Sequence, residues 1–180
     1  SIGLILSSCS DWLDVTPPSQ IREEAQFNSV EGFQQALIGC YIGMTDEMLY
    51  GRALSWSTIE LMAGQFVPLQ ASTNNDYNIS HYNYTSSNAL SYINNIWAKS
   101  YNVIANVNNT LKYIELNKNI LDNVNYSVIK GELLAIRAFM HFDLMRLYGV
   151  SKPGARTDLA SKFAIPYVTN LGKDITPQLN

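Results

Sequence analysis

The chain has 180 residues, which is enough for one domain with its own hydrophobic core. Its formal net charge is −3, only 15% of its residues are charged, and its Lys and Arg residues are scattered singly. This pattern excludes the basic surface by which proteins usually bind nucleic acid. A hydrophobic fraction of 47% excludes a wholly disordered chain, and 11% aromatic residues favour neutral polar ligands.

The chain begins with a short apolar run that ends in small residues, as the end of a bacterial signal peptide does. The sequence Leu-Ser-Ser-Cys9 resembles a lipobox, in which the cysteine becomes the lipid-carrying first residue. We therefore interpret residues 1–9 as the remnant of a lipoprotein signal peptide and Cys9 as the lipidation site. The alternative is a buried apolar strand that ends in an ordinary cysteine. Residues 10–26 contain two consecutive prolines, which predict an extended tether.

Helical periodicity follows the tether and continues to about residue 149, and no segment alternates convincingly as a strand would. The first long helix is predicted to begin at Asn28, a good N-cap with Glu31 three residues later. Its predicted core face is formed by apolar residues at helical spacing: Val30, Phe33, Leu37, Tyr41 and Met44. Cys40 lies in this helix, in a context so unlike that of Cys9 that no disulfide between them is expected.

A short helix is predicted around Trp56 to Met62, before the second long helix. Residues 70–88 are predicted to be a loop, because they are rich in Asn, Ser and Thr with tyrosines inserted. In an extended segment, Tyr82 and Tyr84 would project to the same side, since alternate side chains share a face.

Two more long helices are predicted, over roughly Ala89 to Leu116 and Tyr126 to Tyr148, with a short loop between them. So short a loop makes the two helices antiparallel, as in the repeating unit of a tetratricopeptide-like array. Gly149 is placed to end the last helix in a left-handed C-cap. The sequence therefore predicts an all-α fold of tetratricopeptide-like antiparallel helical hairpins with long irregular loops.

Several residues of these two helices are predicted to be structural. Aromatic residues at helical spacing usually lie in a core, and three are expected to do so here: Trp97, Phe139 and Phe142. Glu132 and Arg137 point to different sides of their helix and cannot pair with each other. Each is therefore expected to bind a neighbouring element, with Asn108 as a candidate partner.

No enzyme motif stands out in the sequence. The two histidines, His81 and His141, lie on different elements, so no metal pair is expected. The chain contains neither a glycine-rich phosphate loop nor a Gly-x-Ser-x-Gly elbow. Asp46, Glu60 and Asp76 are available carboxylates, but nothing marks them as a glycosidase pair. We therefore predict a protein without catalytic activity, cofactor or metal.

Several spaced motifs carry a family resemblance. The second long helix contains five residues in a fixed pattern: Trp97, Tyr101, Ile104, Asn108 and Leu111. The third contains Gly-Glu132, then Arg137-Ala-Phe139, and ends in Tyr148-Gly149, and residues 165–169 read Ile-Pro-Tyr-Val-Thr. In this order, after a lipobox-like cysteine, these motifs resemble the N-terminal part of the SusD-like (RagB/SusD) family. The resemblance implies that residues 27–180 form the N-terminal helical domain of a SusD-like fold.

The resemblance implies a non-enzymatic lipoprotein that is exposed on the cell outer membrane and captures nutrients, most often glycans. Its implied partners are a SusC-like TonB-dependent transporter, an oligosaccharide or polysaccharide, and the membrane through the lipid anchor. The alternative is a helical scaffold that binds only protein partners, without direct glycan contact.

The resemblance also suggests an aromatic platform for sugar just upstream of the second long helix. We predict that Trp56, Tyr82 and Tyr84 form one face of a shallow site, with Asn83 and Asn78 as hydrogen-bonding partners. Aromatic rings offer flat apolar faces to the C–H groups of a sugar, while amide side chains bind its hydroxyls.

Members of this family are usually much longer, and no charged segment or initiating Met precedes the apolar run at the N-terminus. The chain is therefore interpreted as a fragment of a longer protein. The later parts of the family fold are expected to supply the other face of the sugar site, so the chain alone is expected to bind glycans weakly or not at all.

Overall fold

The structure is a computed structural model that describes residues 23–66, 70, 75–150, 164–172 and 178–179. Six helices follow one another along these ranges: α1 (Glu23–Gln26), α2 (Val30–Met44), α3 (Thr58–Met62), α4 (Asn75–Ser80), α5 (Ser87–Leu116) and α6 (Asn123–Tyr148). A short 3₁₀ helix spans Lys118–Ile120, and two short strands, β1 (Pro166–Tyr167) and β2 (Gln178–Leu179), pair antiparallel. The predicted all-α fold is confirmed.

The start of α2 is in close contact with α1, a short helix formed by the last four residues of the predicted tether. Ser29 rather than Asn28 caps α2, because Ser29 Oγ accepts a hydrogen bond from the Gly32 amide at 3.1 Å. Gln26 Nε2 donates to the Gly32 carbonyl at 2.8 Å. A Cβ atom at Gly32 would lie 1.7 Å from the Gln26 carbonyl oxygen, so only glycine fits between these two helices.

The centre of the fold is the antiparallel hairpin of α5 and α6. Ser86 Oγ accepts from the Ala89 amide at 3.3 Å and Asp122 Oδ1 from the Asn125 amide at 2.8 Å, and these caps start the two helices slightly earlier than predicted. The core lies where α2 packs on this hairpin, and its fully buried side chains include Phe33, Cys40, Val103, Ile104, Val107, Ile114, Leu133, Met140 and Leu144. The hairpin therefore positions α2 and α4, on which α1 and α3 pack in turn.

The predicted core positions of two aromatic residues are wrong. Phe139 is 46% exposed and Phe142 is 59% exposed, because α6 buries its opposite side, around Leu133 and Met140, against its neighbours. Trp97 lies between α5 and α6 as predicted, but it is only half-buried. Its ring meets the edge of Tyr148 at a centroid distance of 4.9 Å.

Three further expectations differ in detail. Tyr41 of α2 is exposed rather than core-facing. Gly149 ends α6, but with φ −72° and ψ 157°, which is extended rather than left-handed backbone. The predicted loop over residues 70–88 contains α4, whose Ile79 is completely buried. A single apolar residue in a polar segment is too weak a periodic signal to predict a helix.

Residues 164–169, which we call the strap, lie across α5 and α6. Three hydrogen bonds hold the strap on these helices: Tyr101 Oη to the Pro166 carbonyl at 2.7 Å, Asn108 Nδ2 to the Val168 carbonyl at 3.0 Å, and the Val168 amide to His141 Nε2 at 3.0 Å. The strap contains β1 and fixes the path of the chain after the hairpin.

The predicted structural roles of Glu132 and Arg137 are confirmed. Arg137 Nη1 donates to Asn108 Oδ1 at 3.0 Å, so Asn108 joins α5, α6 and the strap. Glu132 Oε2 accepts from Tyr41 Oη at 2.8 Å and ties α6 to α2. The motif residues of α5 and α6 therefore serve chiefly to hold the helices and the strap together.

Candidate functional site

A cavity of about 200 Å³ opens beside α3, and we call it the charged cavity. It is lined by a charged pair, two aromatic rings, a serine and a leucine: Arg52, Trp56, Ser57, Leu61, Phe66 and Asp76. Trp56 is 63% exposed and Phe66 is 54% exposed. Two large rings that line a cavity while remaining open to solvent offer apolar faces to a ligand.

Arg52 is held by residues of two elements, and a third element contacts one of them. Its Nη2 donates to Tyr92 Oη of α5 at 2.9 Å, and its Nη1 lies 3.7 Å from Asp76 Oδ2 of α4. Tyr92 is itself buried and also accepts from Thr58 Oγ1 of α3 at 3.3 Å. The hydrogen bond to Tyr92 raises the pKa of Arg52, so the guanidinium keeps its charge.

Two polar atoms of this ion pair have unused hydrogen-bonding capacity. Arg52 Nε and Asp76 Oδ1 are buried and have no hydrogen-bond partner among the described residues. Leaving such an atom unpaired costs about 1–3 kcal/mol. Because both atoms are buried, a ligand recovers that cost only when the side chains around them move enough to admit its hydroxyls. One atom donates and the other accepts, and sugar hydroxyls can meet both needs.

Sequence reasoning selected Trp56 but missed the rest of the charged cavity. Arg52 follows α2, Phe66 follows α3 and Asp76 lies in α4, so only the fold brings these side chains together. Asp76 was one of three carboxylates that nothing in the sequence distinguished. No local pattern around Arg52 or Phe66 could have marked them.

A second cavity of about 210 Å³ lies on a neighbouring face of α3 and is mostly apolar. Its lining residues come from α3, α5, α6 and the turn after α4: Thr58, Met62, Tyr84, Ile93, Ile96, Leu147 and Tyr148. Burial, with a smaller effect of Tyr82, raises the pKa of Tyr84. Trp56 and Tyr84 therefore line two neighbouring cavities rather than one continuous face.

Tyr82 and Asn83 lie on the turn that follows α4. Tyr82 is 59% exposed and has a φ of 55°, so this segment is a left-handed turn and not the extended chain expected from the sequence. The Tyr82 ring still meets Tyr84 edge to face, at a centroid distance of 6.2 Å. Asn83 closes the turn with two hydrogen bonds to Asn78. Its backbone amide donates to the Asn78 backbone carbonyl at 2.8 Å, and its side-chain Nδ2 donates to Asn78 Oδ1 at 3.2 Å.

Comparison with known proteins gives the family. The sequence model of the SusD-like family, described as starch-binding and associating with the outer membrane, matches residues 11–178. The chain belongs to the SusD-like family. This confirms the resemblance carried by the motifs of α5 and α6.

A curated relative of this SusD-like chain is SusD-like protein P2 of Formosa agariphila, which is 25% identical over 146 residues. The alignment covers 81% of the chain but only 28% of the relative, so the chain spans little more than a quarter of the relative's length. No solved structure matches the chain.

The described part of this SusD-like chain contains no group of three or more His, Cys, Asp or Glu side chains placed to hold a metal ion. None of its described helices is both long enough and apolar enough to cross a membrane. Cys40 is a buried helix residue as predicted, and burial raises its pKa to about 11. The predicted lipidation site, Cys9, lies outside the described residues.

Proposed function

We propose that this SusD-like chain is part of a surface lipoprotein of the outer membrane that binds glycans for import by a SusC-like TonB-dependent transporter. The observation that carries the proposal is the charged cavity, where exposed Trp56 and Phe66 lie beside unpartnered atoms of Arg52 and Asp76. The description of the family as starch-binding and associating with the outer membrane supports the same conclusion.

A sugar would bind the charged cavity through two kinds of contact. Its C–H face packs on Trp56 or Phe66, and a small movement of the lining side chains lets its hydroxyls accept from Arg52 Nε and donate to Asp76 Oδ1. Because the guanidinium and carboxylate lie 3.7 Å apart, their charges largely offset each other, which favours a neutral glycan over an acidic one.

Tyr82, Tyr84 and Asn83 form the second part of the proposed site. The half-buried Tyr84 ring lines the apolar cavity, which lies next to the charged cavity across α3, and the exposed Tyr82 ring meets Tyr84 edge to face. A glycan of several sugar units would reach from one cavity to the other, so the two aromatic groups would contact different units.

The proposed protein binds its ligand without turnover. Glycoside hydrolysis generally needs two carboxyl groups that flank the bond to be broken. Of the described residues that line the charged cavity, Asp76 alone has a carboxyl group, and that group faces Arg52. This composition supports a binding subunit rather than a glycosidase.

A scaffold that binds only protein partners is the second candidate function. It is favoured by apolar side chains exposed on the outer sides of α2 and α6: Ile38, Ile42, Leu134, Phe139, Phe142 and Met145. Exposed apolar patches of this kind often mark protein contacts. Binding of a protein partner by these sides of α2 and α6 does not explain the charged cavity or its unpartnered donor and acceptor atoms.

Calorimetric titration of the complete protein against a panel of neutral glycans tests the proposal. We expect a dissociation constant in the micromolar to millimolar range, equivalent to about 4–8 kcal/mol. The Tyr82→Ala, Tyr84→Ala double variant should bind the same glycan more weakly. Unchanged affinity in the double variant would remove both tyrosines from the site, and a protein that binds no glycan of the panel would favour the scaffold.

A further inference from the structure

His141 of α6 contacts the strap (residues 164–169) in a way that fixes its protonation state. Its Nε2 lies 3.0 Å from the Val168 amide nitrogen, which can only donate, so Nε2 must accept and carry no proton. Its Nδ1 lies 2.8 Å from the Arg137 carbonyl oxygen, which can only accept, so Nδ1 must carry the proton. One neutral tautomer of the imidazole satisfies both bonds.

The surroundings of His141 disfavour a positive charge. The side chain is 4% exposed, and the rings of Tyr101 from α5 and Tyr167 from the strap face it at centroid distances of 6.2 and 4.4 Å. The charged group that acts on it is the Arg137 guanidinium of its own helix. Burial lowers the pKa of His141 below its usual 6.5. The hydrogen bond to the Arg137 carbonyl partly opposes this shift, and repulsion from the Arg137 guanidinium adds to it.

The carboxylate closest in sequence does not face the imidazole. Asp143 lies about 200° further round α6, since successive helix residues are about 100° apart, and it accepts from Tyr50 Oη at 2.5 Å and from Arg146 Nε at 2.9 Å. Asp143 is therefore engaged on another side of the helix and does not stabilise a protonated His141.

Protonation of His141 would place a second N–H group against the Val168 amide. Two donors cannot bond each other, so the Val168 contact would be lost and a buried cation would remain beside Arg137. The other anchors of the strap do not change in this pH range. Asn108 does not titrate, and burial raises the pKa of Tyr101 to about 12.

We propose that His141 is a pH-sensitive latch, whose neutral imidazole holds the strap on α5 and α6 and whose protonation releases the strap around Val168. The folded state favours the neutral form, because its pKa is lower than that of an unfolded histidine. The latch therefore stabilises the folded state fully above about pH 6.5, and this stabilisation is lost as the pH falls through the lower folded pKa.

The chain offers a matched control, because its two histidines are His141 and the exposed His81. Hydrogen exchange of the Val168 amide is measured by NMR at about pH 7.5 and at a lower pH at which the chemical shifts of the imidazole show that His141 is protonated. Rates are corrected for intrinsic exchange and compared with buried amides of α5. We expect the corrected exchange of Val168 to be about tenfold faster at the lower pH, the equivalent of one ordinary hydrogen bond.

The variants separate the latch from general acid effects. His81→Gln should show the same pH dependence as the wild type, whereas His141→Gln, which is neutral throughout, should show none. Equal corrected rates at both pH values in the wild type, or wild-type behaviour of His141→Gln, would overturn the proposal. Long-range ¹⁵N NMR of the wild-type imidazole needs no variant: a proton on Nε2 rather than Nδ1 at neutral pH would also overturn it.

Discussion

At the residue scale, two glycines of α2 have opposite requirements. A Cβ at Gly32 would lie 1.7 Å from the Gln26 carbonyl oxygen, whereas a Cβ at Gly39 would meet nothing within 4 Å. Both positions are helical, so their backbone entropy costs are similar. The difference between them therefore isolates the contact between α1 and α2.

Gly32→Ala should lower the free energy of unfolding by about 1–3 kcal/mol, because α1 must move away from α2. Gly39→Ala is the matched control and should raise it by about 0.5–1 kcal/mol, the usual gain in helix propensity. Urea unfolding followed by circular dichroism measures both variants. Similar effects of the two substitutions would show that α1 does not pack on α2 as described.

Side-chain burial was the least predictable property of single residues. Helical spacing predicted that Phe139 and Phe142 lie in the core, but both are exposed, while Leu133 and Met140 of the same helix are buried. The apolar stripe of α6 is wider than the surface that α2 and α5 cover. A sequence pattern reports which side chains are apolar, and the neighbouring elements decide which of them are buried.

At the element scale, a network of four side chains lies where α5 turns into α6. Glu115 Oε2 lies 2.6 Å from Lys118 Nζ, while its Oε1 lies 2.6 Å from Lys130 Nζ and 2.8 Å from Tyr126 Oη. The hydrogen bonds from Lys118, Lys130 and Tyr126 lower the pKa of Glu115 to about 2. The ionised carboxylate therefore joins both helices to the turn between them.

Glu115→Gln should destabilise the protein at neutral pH, and the difference from the wild type should vanish in acid. A carboxyl group with a lowered folded pKa contributes stability above its ordinary value of 4.5 and loses it as the pH falls through about 2. Added salt should also shrink the difference, because the network is open to solvent. The urea midpoints of the variant and the wild type are measured between neutral and acidic pH. If the difference between the two midpoints changes with neither pH nor salt, the network does not stabilise the fold as described.

The long helices and the short helix α3, predicted around Trp56 to Met62, could be predicted from the sequence, whereas α4 and the contacts of the strap could not. The periodic patterns of α2, α5 and α6 extend over many turns, and their predicted bounds are close to those observed. The α4 helix is short and polar, and the strap is held by side chains of distant helices, including Tyr101 and His141. Elements that depend on such tertiary contacts leave little trace in the local pattern.

At the scale of the whole molecule, the motifs predicted the family and the architecture but only part of the site. Trp56 was selected because exposed aromatic residues suit sugars. The partners that complete its cavity, Arg52 and Asp76, are ordinary residues of two separate segments until the fold joins them. Binding by Trp56, Tyr82, Tyr84 and Asn83 stays a prediction.

The proposed anchor is tested by replacing its cysteine. Lipid attached to Cys9 would bury several acyl chains at about 0.8 kcal/mol per methylene, enough together for stable residence in a membrane. Cys9→Ala should therefore release the complete protein into the soluble fraction. Cys40→Ala is the matched control and should stay with the membrane, since Cys40 is buried in α2. If Cys9→Ala still stays in the membrane fraction of cells that lack the transporter, Cys9 is not the anchor.

The most direct test of the central claim is a calorimetric titration of the complete protein with its best-bound neutral glycan, comparing Trp56→Ala with Phe142→Ala. Both rings are large and exposed, but Trp56 lines the charged cavity, while Phe142 lies on the outer side of α6. We expect Trp56→Ala to weaken binding by about 1–3 kcal/mol, or roughly 5- to 150-fold, and Phe142→Ala to leave it unchanged. Equal affinity of Trp56→Ala and the wild type would contradict the account.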